Sequence, residues 1–300
     1  MASSYDFHFR CQVSGDCFLV FLVWYCRPVG TTPSTARVPV ALGTQHRKGP
    51  LLAPTLATVG LEVVEVAIDT DRFGTFSGTR ARTGTAVEVA RAKALAAMAA
   101  SGLPRGLGSE GSFGPNPILP TGTVDEELLV YVDQVAGLEV HGVAQAPAFA
   151  VEVEIEVAAP PPGLAELLRL GTHAAFCSAM PASAGPVAEV GSAAELERVL
   201  AQLRSSGSAR ARLRTDLRAH RCPSRQVVLR AAAEDLRRRL AARCPVCDRP
   251  DALGPRAVCC RSCSMVVATV LDAVACGHCG LVVAATPELV DPDCCPACSP

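Results

Sequence analysis

Lysine is almost absent from this chain. Of its 28 lysine and arginine residues, only Lys48 and Lys93 are lysine. With arginine as the default cation, the two places where lysine survives become informative. Aromatic residues are also scarce, at 4%, which leaves few rings for base stacking. The formal charge of −1 provides no global field to recruit nucleic acid or a membrane surface. No stretch reaches the roughly 18–20 apolar residues that span a bilayer; CFLVFLVWYC (Cys17–Cys26) is too short. What remains is 49% apolar, much of it alanine and valine, the profile of an α/β protein with small core side chains. Three hundred residues suggest about two domains.

The Cys17–Cys26 run can be read as the centre of a signal peptide, but one arginine and two acids precede it and no clear cleavage site follows. The favoured reading makes residues 1–35 an extension ahead of the domain, either poorly ordered or the product of a misassigned start codon. Fifteen cysteines are distributed unevenly, with ten of them in the last 57 residues. Cys-x-x-Cys pairs repeat there four times, which points to metal in a reducing cytoplasm and away from a secreted disulfide framework. Cys244–Cys247, Cys260–Cys263, Cys276–Cys279 and Cys295–Cys298 supply eight thiolates, with 12, 12 and 15 residues between successive pairs. Two residues between cysteines let one turn aim both sulfurs at a tetrahedral ion, so the eight make two structural zinc sites of four cysteines each. Sequential pairing of the knuckles is simplest, and an interleaved cross-brace stays open. Cys259 and Cys294 each adjoin a ligand and can substitute for it.

Between these ends the pattern is orderly. Ala36–Thr44 reads as a buried strand, Gln45–Gly60 as a basic turn and short helix, and Leu61–Asp69 as a second strand. A polar loop leads to a helix from Thr85 to Gly102. Arg105–Pro117 reads as a short strand that becomes a loop, and Glu127–Ala144 as a hairpin turning at Ala136–Gly137. The expected class is therefore α/β, a central mixed sheet flanked by helices over residues 36–243, with the zinc-ribbon region at 244–300. AAPPPG (Ala158–Gly163) reads as a linker or insertion, Ser192–Glu195 as a capping box, and the stretch after Pro223 as a long closing helix. Arg210–Arg243 holds eleven arginines against three acids; such a run is a solvated face or a polyphosphate or nucleic-acid contact.

Charged residues fall at strand ends. Lys48 follows the first strand, Asp69 and Asp71 the second, and Glu110 the third, where open sheets place ligands. Each has a plain structural reading as well: Asx turns for the aspartates, a turn cap for Glu110, surface for Lys48. Together they favour a cleft. Phosphoanhydride hydrolysis needs a divalent ion held by carboxylates, cations for the phosphates and a positioned water.

Three motifs, in order, resemble one enzyme group. ExAxxKA at Glu88–Ala94 is similar to a helix of the inosine triphosphate pyrophosphatase-like superfamily, which acts on non-canonical purine nucleotides. TQHRK (Thr44–Lys48) sits at that superfamily's phosphate turn, with His46 in place of asparagine, and GSEGSFG (Gly108–Gly114) at its acidic turn. AHRCPSR (Ala219–Arg225) resembles the segment opening its last helix. With the cysteine tail, the chain also resembles an uncharacterised bacterial family of unknown function. Together with the carboxylates at the strand ends, the superfamily resemblance leads to the expectation that Glu110 with Asp69 or Asp71 holds Mg²⁺ or Mn²⁺. It also implies that His46, Lys48, Lys93, His220, Arg221 and Arg225 bind phosphate, and that Glu88 binds metal or orients these groups. The expected ligand is thus a nucleotide or other polyphosphate, and the expected activity a phosphohydrolase. The alternative is a nucleotide-sensing module whose ribbons contact protein; nucleic acid is less favoured.

Overall fold

The computed structural model describes residues 37–45, 47–73, 84–115, 122–181 and 187–299, apart from the side chain of Asp71. The extension 1–35, His46 and the Asp71 carboxylate therefore lie outside the described residues. Those described divide at Arg243–Cys244 into two compact units.

The first unit opens with β1 (Val38–Gly43), α1 (Gly49–Ala57), β2 (Leu61–Val66), α2 (Ala86–Ser101), β3 (Arg105–Pro115), β4 (Thr123–Asp133) and β5 (Leu138–Ala148). These strands form a mixed sheet in the order β2-β1-β3-β4-β5, with β1 parallel to β2 and β3 and the β3–β4–β5 meander antiparallel. A second sheet follows, built from β6 (Glu152–Glu156), α3 (Leu164–Leu167), β7 (Ala175–Met180), β8 (Ala188–Val190), α4 (Ala193–Ser205) and β9 (Arg210–Thr215), in the order β6-β9-β7-β8. Helix α5 (Pro223–Ala241) then closes back on β4 and β5 beside α1. Its stripe of Leu229, Ala232 and Leu236 joins Leu42, Leu52, Leu56, Leu107 and Leu129 in the main core. Each such leucine contributes about 1.5–3 kcal/mol.

Helix α2 covers the opposite face of the first sheet at backbone contact distance. Its start is a complete capping box between Thr85 and Glu88, and its end is Gly102 in the left-handed conformation. The contact is made by absent side chains. A Cβ on Gly108 would lie 1.8 Å from the Ala90 carbonyl oxygen, and one on Gly106 would lie 2.7 Å from that of Ala94. The buried alanines Ala90, Ala94 and Ala97 are the matching side of this fit.

One expectation changes. β3 runs unbroken for eleven residues, paired with β4 throughout, so Glu110 lies within a strand and not in a loop. Pairing with the apolar stretch of β4 overrides the weak strand preference of its glycines and serines. The proline-rich AAPPPG segment joins β6 to α3 beside the second sheet, whose layer has its own core of Ile155, Val157, Cys177, Leu200 and Leu213. The arginine-rich window is dispersed. In β9, Ala211 and Leu213 face this core while Arg210 and Arg212 pair with Glu154 across the sheet. In α5, Arg237, Arg238 and Arg239 pair with Glu234 and Asp235.

The second unit holds β10 (Gly254–Cys260), β11 (Val266–Ala273) and β12 (Glu288–Val290) in the order β11-β10-β12. No helix among the described residues is long and apolar enough to cross a membrane.

Gly108→Ala should cost about 3 kcal/mol or more, since its Cβ meets backbone that cannot give way. Gly114→Ala, where a Cβ meets nothing within 4 Å, should cost well under 1 kcal/mol. Urea unfolding of both variants checks this.

Candidate functional site

The connection from β1 through α1 leads to β2 on one side of β1, and that from β2 through α2 leads to β3 on the other. Such a reversal opens a crevice at the carboxyl end of the central strand. β1 stops at Gly43; its register with β3, Leu42 opposite Leu107, places Ser109 and all later residues of β3 beyond that end. Ionisable side chains gather there from both faces of the sheet.

On the face covered by α1 and α5 stand Lys48, Ser109, Asp125, Glu127 and Arg225, all 7% exposed or less. Lys48 occupies the N-cap of α1, where the helix dipole opposes a cation, and donates to Ser109 Oγ at 2.8 Å. Burial, assisted by the Arg225 guanidinium, pulls its ammonium down to about 8. Arg225 reaches from the first turn of α5 to Glu127 Oε1 and to the Leu217 carbonyl at 2.6 Å. Gly111 makes room for this pair, since a Cβ there would lie 2.4 Å from the guanidinium. Asp125, on the same face of β4 as Glu127, has its carboxyl pushed up to about 7 by burial and by the Glu127 charge, against the pull of Arg225 and Lys48. Asp125 Oδ1 and Glu127 Oε2 are buried without a hydrogen-bond partner among the described residues. On the α2 face, Lys93 Nζ meets Glu110 Oε2 at 2.5 Å. Both of these charges act on Lys48, so the chain's two lysines converge on one place.

The other residues singled out from sequence go elsewhere. Glu88 is exposed and accepts from the backbone and hydroxyl of Thr85, closing the capping box. Arg91, one turn further along α2, forms a two-pronged pair with Glu139. Asp69 is exposed beyond β2. His220 is exposed, and Arg221 joins Arg218 around Asp216 and Glu189. Of the AHRCPSR segment, Arg225 alone is shown entering the Lys48 cluster. Asp125 and Glu127 were not anticipated. Their signal was the period of two in TVDEELLVYVD, which puts both on the face of Leu129 and Tyr131.

In the second unit the eight cysteines form two groups, Cys244, Cys247, Cys276 and Cys279, and Cys260, Cys263, Cys295 and Cys298. The pairing is interleaved, not sequential. The β10–β11 hairpin decides it: seven residues of β10 hold its ends roughly 20 Å apart. The first and third knuckles share the open end, and the second sits at the tip. β12 runs parallel to β10, with Val290 opposite Cys260, and delivers the fourth knuckle to that tip. Cross-knuckle sulfurs lie 3.6–3.8 Å apart, the edge of about 3.8 Å for a tetrahedron with metal–sulfur bonds of about 2.3 Å. The first three knuckles turn alike. Cys244, Cys260 and Cys276 each receive a backbone bond from four residues on, and Asp248, Ser264 and Gly280 take positive φ. Cys259 and Cys294 stay outside both groups among the described residues. The donor set suits a thiophilic ion.

Residues 93–300 match the family model described as a domain of unknown function, DUF6671, and the chain belongs to that family. No curated protein and no solved structure matches it.

The interleaving makes different double variants distinguishable. Cys244→Ser with Cys276→Ser should leave one metal ion per chain, whereas Cys244→Ser with Cys260→Ser should leave none, by elemental analysis of the folded protein. The Asp125 carboxyl sets a pH dependence of stability. Held at about 7 in the folded chain and at about 4 in the unfolded one, it binds its proton more tightly when folded. Its contribution to stability therefore falls as pH rises from about 4 to about 7, and stays at its lowest above that. Asp125→Asn should raise thermal stability at pH 8, by a few kcal/mol at most, and by less at pH 5.

Proposed function

We propose that the cluster at the carboxyl end of β1 binds and hydrolyses a nucleoside polyphosphate, and that the cysteine-rich unit is a two-zinc structural appendage. The observation that carries this reading is the convergence of Lys48 and Lys93, from different helices, with the buried Arg225 on one strand end. A lysine at a helix N-cap is unfavourable on its own account, and burying it adds a desolvation cost. Bound phosphate oxygens would offset both. The order of strands and helices, the hairpin and the closing helix also support a fold of the inosine triphosphate pyrophosphatase-like kind.

In this reading Lys48 and Lys93 take the phosphate oxygens, and Arg225, fixed by Glu127, supplies positive potential from beneath. Ser109 holds the Lys48 ammonium in place. Glu110, paired with Lys93 in the unliganded protein, is released toward the ligand when a phosphate oxygen takes over Lys93. Mg²⁺ or Mn²⁺, when bound, supplies charge neutralisation for the phosphates and orders the attacking water. Zinc fits the two cysteine groups, whose four thiolates leave no position for water and so make a closed structural site. The exposed Val246, Val266, Val282 and Leu289 of that unit suit contact with a protein better than with nucleic acid.

A panel of nucleoside triphosphates, including inosine and xanthosine forms, assayed with Mg²⁺ or Mn²⁺ tests the reading. Turnover should appear with at least one substrate, and Glu110→Gln should lower kcat/KM by about 100-fold or more. No turnover, or turnover unchanged by Glu110→Gln, overturns the assignment.

A further inference from the structure

The sequence pattern points to Glu110 with Asp69 or Asp71 as the carboxylates that hold a divalent ion. The geometry points to others. Without a ligand Glu110 is paired with Lys93, Glu88 closes a capping box, and Asp69 is exposed beyond β2. Two carboxylates at the strand end instead retain an unused, buried oxygen: Asp125, 1% exposed, through Oδ1, and Glu127, fully buried, through Oε2.

We propose that Asp125 and Glu127 hold the divalent cation of the polyphosphate site. Residues two apart on a strand project from the same face roughly 6.5–7 Å apart, and these two stand opposite Phe113 and Gly111 of β3. One ion can accept an oxygen from each. A buried acceptor left unsatisfied costs about 1–3 kcal/mol, and more when it is charged; a proton removes that cost for one oxygen, and a cation removes it for both. Both donors are carboxylate oxygens, which favour a hard ion such as Mg²⁺ or Mn²⁺. Mg²⁺ is commonly held by one or two carboxylates and keeps several waters, which matches a pair of carboxylates better than a closed cage. Lys48 and Arg225 face the pair from α1 and α5 and lower its affinity for a bare cation. They also bring the phosphate-binding cations beside the metal, so one ligand can engage both. The second carboxylate oxygen of Glu127 stays with Arg225, which fixes the orientation of the free one.

This inference rests on the polyphosphate reading, but its test does not require turnover. The zinc-loaded full chain is titrated with Mn²⁺ from micromolar to millimolar concentrations, and the loss of the free-ion paramagnetic resonance signal is followed. Zinc in thiolate sites is not displaced by Mn²⁺, which stands at the weak end of the affinity series. One Mn²⁺ per chain should bind, with affinity lowered about tenfold or more in both Asp125→Asn and Glu127→Gln and unchanged in Glu152→Gln, on the second sheet. Zinc content and far-ultraviolet circular dichroism establish that each variant is folded. If Glu127→Gln fails to fold for loss of the Arg225 pair, Asp125→Asn decides alone. Absence of Mn²⁺ binding, or binding unaffected by Asp125→Asn, overturns the inference. Mn²⁺ binding that needs Asp125, without hydrolysis of any nucleotide, overturns the enzymatic reading and leaves the metal site standing. Hydrolysis with binding indifferent to Asp125 does the reverse.

Discussion

The first unit depends on how closely α2 lies against the sheet. Helices usually pack on side chains at interaxial distances of 8–10 Å, but here the backbones of α2 and β3 nearly touch, because Gly106 and Gly108 face the carbonyls of Ala94 and Ala90. That proximity is why the helix is alanine-rich, and why Lys93 reaches Glu110 from the turn beside Ala94. A helix one side chain further out would carry Lys93 away from the strand end. Glu88 and Lys93, five residues apart and so not on one face of the helix, need not pair with each other. The two do different work on the helix: Glu88 closes the cap at Thr85, and Lys93, near mid-helix, reaches Glu110 on the sheet.

The charges at the end of β1 cost the fold stability. Lys48, Asp125, Glu127 and Arg225 are all nearly buried, and one of the two ion pairs at this end, Glu127 with Arg225, is removed from solvent. A buried pair of this kind is often no better for stability than well-packed hydrophobic residues. Such a concentration of desolvated charge, with Asp125 displaced upward and Lys48 downward, marks a site better explained by a ligand than by folding. The arginine-rich window offers the contrast. Apart from Arg225, its arginines that pair on β9 and α5, such as Arg210, Arg212, Arg237 and Arg239, are exposed or half-exposed and meet neighbours on the same or adjacent element, the behaviour of a solvated surface.

In the cysteine-rich unit a hairpin does the work that a hydrophobic core does elsewhere. Small clusters, such as Val258, Val270 and Val290, are all the apolar material between the two thiolate groups. A segment of this size needs a staple, and an interleaved pair of sites ties the open end and the tip of the same hairpin, so neither end can fray alone.

Much of this was legible in the sequence because it depends on local rules. Thr85 with Glu88 specifies a helix start whatever surrounds it, Gly102 specifies its stop, and Cys-x-x-Cys sets two thiolates on one turn regardless of partner. The alternation of Ala211 and Leu213 with arginine carries the period of a half-buried strand, which the density of charge in that window masks. Local rules could not say which knuckle meets which, because that follows from the length of β10 and the direction of β12. Nor could they say that Asp125 and Glu127 share a buried face with Lys48, since sheet register brings together residues far apart in the chain. Sequence by itself determined the elements and the residue types at their ends. The tertiary structure alone decided which charges were desolvated together, because burial and electrostatic coupling depend on distances across the sheet and not along the chain.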